Sequence, residues 1–193
     1  MARAHFVKSA RKDNPVAKKG ESYWWWKHMV GGRGGPKQYS KDRPKPSQLT
    51  QSEFLSRFYD IEEQIGEAKD ADTLESLAND ITELGDEQNE KLDNMPEGLK
   101  EGDTGQMLQE RYDGCTEWAS EVERIAGELR EKIDARDSLR TDWAAFDEQQ
   151  ESNERNDLED DEFAEPDEER PPADDEDLIA EAVEEIQGAT PSF

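Results

Sequence analysis

Nine apolar positions on one face constrain this chain more than any other feature. Met107, Leu108, Tyr112, Cys115, Trp118, Val122, Ile125, Leu129 and Ile133 recur at steps of three and four residues. That period is the stripe of an amphipathic helix, and the spacing predicts a single helix over about 105–146. Such a helix reaches about 60 Å at 1.5 Å per residue. A stripe of that length cannot be buried by the helix that carries it, so the chain must supply partner helices.

The partners lie just upstream. Phe54, Phe58, Ile61, Ile65 and Ala68 step by four, three, four and three, a heptad seam. Lys69-Asp70-Ala71 interrupts it, and Asp72-Thr73-Leu74-Glu75 reads as a new helix start. Leu74, Leu77, Ile81 and Leu84 continue the pattern, which weakens at Gln88 and resumes at Leu92. Asn94-Met95-Pro96-Glu97-Gly98 ends that helix through proline and glycine. The expectation is two helices, about 52–68 and 73–93, running along the long one with a loop at 94–103. The expected fold is therefore mainly α: an antiparallel helical hairpin or three-helix coiled-coil body over 51–146.

Composition decides what this body can carry at its ends. Of 193 residues only 32% are hydrophobic and 38% are charged, with a formal net charge of −26. A core occupying the whole chain is excluded by those values. Residues 1–50 hold twelve Lys and Arg against Asp13, Glu21 and Asp42, a net of +9, while 51–193 hold twelve against 47 acids, a net of −35. A basic arm and an acidic body imply different partners.

The arm, 1–50, has little apolar material before Gly20, and 1–20 is expected to be mobile in isolation. Tyr23-Trp24-Trp25-Trp26-Lys27-His28 has strong strand preference. Gly31 to Pro36 reads as a flexible turn, and Lys37 to Lys41 as a returning strand, making a small basic β-hairpin. In a strand Tyr23, Trp25 and Lys27 share one face and Trp24, Trp26 and His28 the other. One face packs on the helices and the other is left to bind; a mini-core and a ligand surface are both compatible with this pattern. Rings interleaved with cations suit single-stranded nucleic acid, where bases stack and phosphates are neutralised. The candidate contacts are Arg11, Lys12, Lys18, Lys19, Tyr23, Trp25, Lys27, Arg33, Lys37, Tyr39 and Lys41. Asp42 to Ser47 reads as a proline-stiffened linker, with a boundary near 47–50 and Thr50-Gln51-Ser52-Glu53 as a capping box.

Residues 147–177 hold 17 acids against Arg155 and Arg170, a disordered acidic tail by composition. Leu178, Ile179, Ala182, Val183 and Ile186 then recur at helical spacing, a short amphipathic helix at 178–187 before a disordered terminus at 188–193. Its Leu178, Ile179, Val183 and Ile186 are candidate partner-docking residues, for a host or phage protein. The acidic tail is also expected to compete with outside polyanions for the arm.

Catalytic chemistry has no constellation here. The acids are dense and exposed in pattern, His5 and His28 are the only histidines, and Cys115, the only cysteine, lies on the apolar stripe as a buried thiol. No Cys or His cluster has zinc spacing, the glycines at 31–35 lack the Lys-Ser/Thr of a phosphate loop, and no run of eighteen apolar residues exists to span a membrane. The expectation is a non-enzymatic protein with no cofactor, no metal and no membrane partner; a homodimer is compatible with the layout.

Several segments resemble a family of functionally unassigned proteins encoded by tailed bacteriophages and prophages. They are Ala10-Arg11-Lys12-Asp13, Gly20 to Lys27, Tyr39-Ser40-Lys41, Pro46 to Thr50, Asn94 to Leu99 and Gly105 to Arg111. The resemblance covers roughly 8–130 and implies a bacterial host cytoplasm, without supplying an activity. The function expected is a phage accessory protein that contacts nucleic acid through its arm. The alternative is an acidic interaction or inhibitor module that occupies a host nucleic-acid-binding protein.

Overall fold

The computed structural model describes residues 1–30, 33–156, 166 and 168–193. In chain order the elements are β1 (His5–Val7), β2 (Tyr23–Val30), β3 (Arg33–Ser40), α1 (Pro46–Leu49), α2 (Glu53–Gly66), α3 (Ala71–Asp93), α4 (Glu97–Lys100), α5 (Asp103–Asn156) and α6 (Glu176–Gly188). The chain is mainly helical with a small antiparallel sheet at its N-terminus. Its residues gather into two compact units, Met1–Gln64 with Glu83–Tyr112, and Ile65–Thr82 with Asp113–Phe193. The long helices α2, α3 and α5 contribute to both.

The first unit holds the sheet, ordered β1-β2-β3. The sequence predicts only a hairpin; β1 is an additional strand, pairing His5 with Trp25, Phe6 with Trp24 and Val7 with Tyr23. Arg33 to Pro36, expected to lie in the turn, belong to β3. Lys37 pairs with Lys27 and Gly34 with Met29, so Gly35 and Pro36 together oppose His28. That is a β-bulge on an edge strand, the setting in which a proline without an N–H is tolerated.

Within the stretch 1–20 expected to be mobile in isolation, β1 is a strand, and the residues from 8 to 22 that follow it form a loop closed by hydrogen bonds. Ala10 N–H donates to Glu21 O (2.8 Å) and Gly20 N–H to Ala10 O (2.9 Å). The Asn14 side-chain oxygen accepts from Val16 and Ala17 N–H at 3.0 and 2.9 Å. Gly20 sits at φ +96°, a conformation in which a Cβ would clash with the backbone. Ala10 and Ala17 are buried inside this loop.

The linker is not extended throughout, since Pro46 to Leu49 form α1 with Pro at its first turn. Ser56 Oγ donates to Ser47 O and Ala2 N–H to Leu49 O, and the arm and the start of α2 lie in the same compact unit. The N-cap of α2 is Ser52, whose Oγ accepts from Leu55 N–H, two residues inside the expected cap at Thr50. Phe54, Phe58 and Ile61 of α2 are buried here with Leu84 and Leu108. Gln88, where the stripe weakens, is also buried and donates to Leu84 O at 3.3 Å, which satisfies it within its own helix.

In the second unit α3 starts at Ala71, two residues before the expected start. Asp70 caps it, accepting from Thr73 N–H (2.7 Å) and Thr73 Oγ–H (2.6 Å), and these bonds hold its carboxyl below the ordinary carboxylate range. Leu74, Leu77 and Ile81 of α3 and Cys115, Trp118, Val122, Ile125 and Leu129 of α5 are buried. Arg130 binds both Asp72 and Glu75.

Helix α5 does not stop at 146 but runs through 147–156. Glu148, Gln149, Gln150 and Glu151 are good helix formers, and no Gly or Pro follows until Pro166, so acidity alone does not end the helix. Of the tail expected to be disordered, 157–165 and 167 lie outside the described residues. Residues 168–175 are held against α5, and α6 occupies 176–188, where 178–187 was expected to be helical.

Candidate nucleic-acid interface

The sheet register sorts the arm residues by face. Paired residues in an antiparallel ladder point the same way. Tyr23, Trp25 and Lys27 of β2 therefore share a face with His5 and Val7 of β1 and with Lys37 and Tyr39 of β3. His5 stacks on the Trp25 ring from the β1 side, with centroids 4.5 Å apart and planes 15° apart. From the β3 side Lys37 Nζ lies 4.3 Å from the Trp25 ring centroid, a cation–π contact. Tyr23 and Tyr39 meet at 6.0 Å with a 41° tilt. The three rings are half-buried, and Lys27 and Lys37 are exposed beside them.

The opposite face performs the packing. Trp26 is only 6% exposed. Burying a tryptophan removes about 150–250 Å² of surface, about 4–6 kcal/mol at 25 cal/mol/Å². Its Nε1–H has no acceptor among the described residues, a cost of about 1–3 kcal/mol, so the hydrophobic term wins. Phe6 and Trp24 pair at 5.0 Å on this face, with Phe6 exposed.

Five of the eleven candidate contacts, Tyr23, Trp25, Lys27, Lys37 and Tyr39, are thus brought onto one surface. Arg33 is not among them, because the bulge at 35–36 shifts the register and turns Arg33, paired with Val30, to the Trp26 face. Arg11, Lys12, Lys18 and Lys19 lie exposed on the loop between β1 and β2, and Lys41 follows the end of β3. Among the described residues none of these cations makes an ion pair. Asp13 and Glu21, two of the three acids of the arm, instead accept the backbone N–H groups of Lys19 (2.7 Å) and Lys18 (2.9 Å). His5 was not foreseen, since strand pairing across fifteen intervening residues leaves no local periodic signal in a three-residue segment.

The C-terminal segment has its own interface. It retraces α5 in the opposite direction. Trp143 Nε1 donates to Glu168 O at 3.2 Å, and Arg170 covers the Trp143 ring at 4.6 Å. Arg140 binds Asp175 at 2.7 Å and Arg136 binds Asp177 at 2.6 Å. Lys132 lies 3.7 Å from Glu181, and Arg124 2.6 Å from Glu185. Arg136 holds the Asp177 carboxyl down to about 2, and Arg140 is the main cause of the lowered value at Asp175. The acids of Arg124 and Arg140 in turn push those guanidinium groups up.

The four proposed docking residues of α6 therefore have unequal access. Ile186 is fully buried in this unit, and Leu178 lines a cleft with Ile125 and Leu129. Ile179 and Val183 line a second cleft with Gly66 and Ala68. Of the tail acids expected to compete for the arm, Asp175 and Asp177 bind Arg140 and Arg136 of α5. Each exposed pair contributes only about 0–1 kcal/mol, so Ile186 and Ala182 supply most of the attachment.

Among the described residues no group of three His, Cys, Asp or Glu could hold a metal ion, and no helix is long and apolar enough to cross a membrane. No family model, no curated protein and no solved structure matches the chain.

Proposed function

We propose that the protein binds single-stranded nucleic acid through the Tyr23–Trp25–Tyr39 face of its N-terminal sheet, without enzymatic activity. The observation that carries this reading is the register: three rings and two lysines without acidic partners share one surface, while Trp26 takes the burial on the other. A base stacks on Trp25 once Lys37 leaves the indole for a phosphate, so one movement supplies both contacts. Single strands fit better than duplex, because the rings need unstacked bases and no helix carries the cations of this face into a groove. The acidic remainder of the chain opposes the approach of phosphates, but screening limits that repulsion to about 8 Å at physiological salt.

The helical remainder is read as an antiparallel helical hairpin of coiled-coil type that serves as scaffold. The resemblance to phage-encoded proteins makes a host cytoplasm the setting of this reading. The test is a titration of the full chain with single-stranded DNA and RNA at low salt. Trp25→Ala is expected to cost about 1–3 kcal/mol with little change in salt dependence. Replacing Lys27 and Lys37 by Ala is expected to lower the slope of log affinity against log salt by about 0.7 per lost contact. Absence of binding at low salt overturns the reading and leaves the acidic body as the functional surface.

A further inference from the structure

The ring face of the sheet does not end at Lys27. The register carries it one rung further, to Met29 paired with Gly34. Met29 is 62% exposed, an apolar side chain left in water on a face that otherwise holds rings and lysines. Opposite it β3 offers no side chain at Gly34, so the backbone there is open to close approach. The rung between Trp25 and Met29 is cationic. Its Lys27 and Lys37 stand directly opposite each other, where like charges repel. The two side chains part along the sheet in opposite directions. Lys37 Nζ lies 4.3 Å from the Trp25 ring centroid. Lys27 lies over Gly34 instead: a Cβ at Gly34 would sit 3.7 Å from Lys27 Cδ and 4.0 Å from its Nζ. Each of the two apolar platforms thus has its own lysine resting on it.

We propose that Met29 and Gly34 form a second base seat, so that this face takes two bases of one single strand, one on Trp25 and one on Met29. The inference rests on the reading of the Trp25 face as a single-strand site. A thioether is soft and polarisable and packs well against an aromatic ring, and the absent side chain at Gly34 makes room for that ring beside it. Lys27 then leaves Gly34 for a phosphate as Lys37 leaves Trp25, so each seat exchanges its own lysine for a base. The seats lie four residues apart on β2, about 13 Å at 3.3 Å per residue. A single strand advances about 3.4 Å per nucleotide when stacked and roughly twice that when extended. Two extended nucleotides therefore cover the gap. The seated bases are every second one, and the base between them stands over the lysine rung with no platform.

The experiment titrates the full chain at low salt with three labelled thymine single strands of equal length and equal phosphate count. One is complete, one lacks every second base, and one has its bases present and absent in alternating blocks of two. Only the last offers no pair of bases at the spacing of the seats. The strand lacking every second base is expected to bind within about twofold of the complete one, and the block strand about two- to tenfold more weakly. Met29→Ala and Gly34→Val are each expected to weaken the first two strands by about two- to tenfold and to leave the block strand unchanged, since it needs Trp25 alone. Met29 is exposed, so its truncation leaves packing intact, and it decides the matter by itself should Gly34→Val fail to fold. Equal binding of the alternating and block strands overturns the second seat, as does a Met29→Ala variant that alters binding of all three strands equally or of none. Under those outcomes a loss of affinity in Trp25→Ala leaves the first seat standing. Failure of every strand to bind the unaltered chain overturns the reading of the Trp25 face and the second seat with it.

Discussion

Trp25 and Trp26 are neighbours in sequence with opposite roles, because a strand turns successive side chains to opposite faces. Trp26 is buried, and Trp26→Ala should destabilise the arm-bearing unit by about 3–5 kcal/mol, read as a shift in urea midpoint at constant slope. Trp25, half-buried between His5 and Lys37, should cost clearly less stability when truncated, which separates its binding role from packing. Gly105 is a second decisive residue. A Cβ there would lie 2.0 Å from Lys100 O and 2.6 Å from Lys100 C, backbone atoms that cannot rotate away. Gly105→Ala should therefore displace the α4 turn and cost about 1–3 kcal/mol, measured by thermal or urea unfolding.

At the scale of elements, the attachment of α6 combines a small apolar patch with a row of ion pairs, and the two respond to different variables. Asp177 and Asp175 have carboxyls held below their ordinary value of 3.8, Asp177 down to about 2. A carboxylate lowered in the folded state contributes its stabilisation above its unfolded value and loses it as pH falls towards the folded one. The segment should thus stay docked at pH 5 and loosen between about pH 4 and 2, visible as rising amide exchange over 176–188. Ile186→Ala should loosen the same residues at neutral pH, since it removes the largest buried side chain of α6. If the exchange of 176–188 is already rapid at pH 7 in the unaltered chain, the ladder does not hold the segment.

For the whole molecule, charge is the dominant variable. Net charge is −26 at pH 7 and vanishes near pH 4.3. Solubility should pass through a minimum there, because uncharged colloids associate. The docked segment should survive at that pH, since Asp177 is still ionised. Turbidity and exchange recorded on the same samples would separate the two effects, and a solubility minimum coinciding with release of 176–188 would contradict this account. The acids also act differently by segment: Asp13 and Glu21 of the arm bind backbone N–H groups, whereas Asp175 and Asp177 of the C-terminal segment bind arginines of α5.

Much of this was legible in the chain. The steps of three and four residues specify α2, α3 and α5 because helix period and hydrophobic burial are local properties of the sequence. The aromatic run marks β2 for the same reason. What the sequence could not determine were the events that join distant segments. The pairing of β1 with β2 placed His5 on Trp25, and the bulge at Gly35-Pro36 moved Arg33 off the ring face, a one-residue shift that reverses every side chain beyond it. The acidic tail reads as self-repelling while its own composition is considered alone. Only the fold brings Asp175, Asp177, Glu181 and Glu185 against Arg140, Arg136, Lys132 and Arg124, and pairing across that distance in sequence leaves no periodic trace.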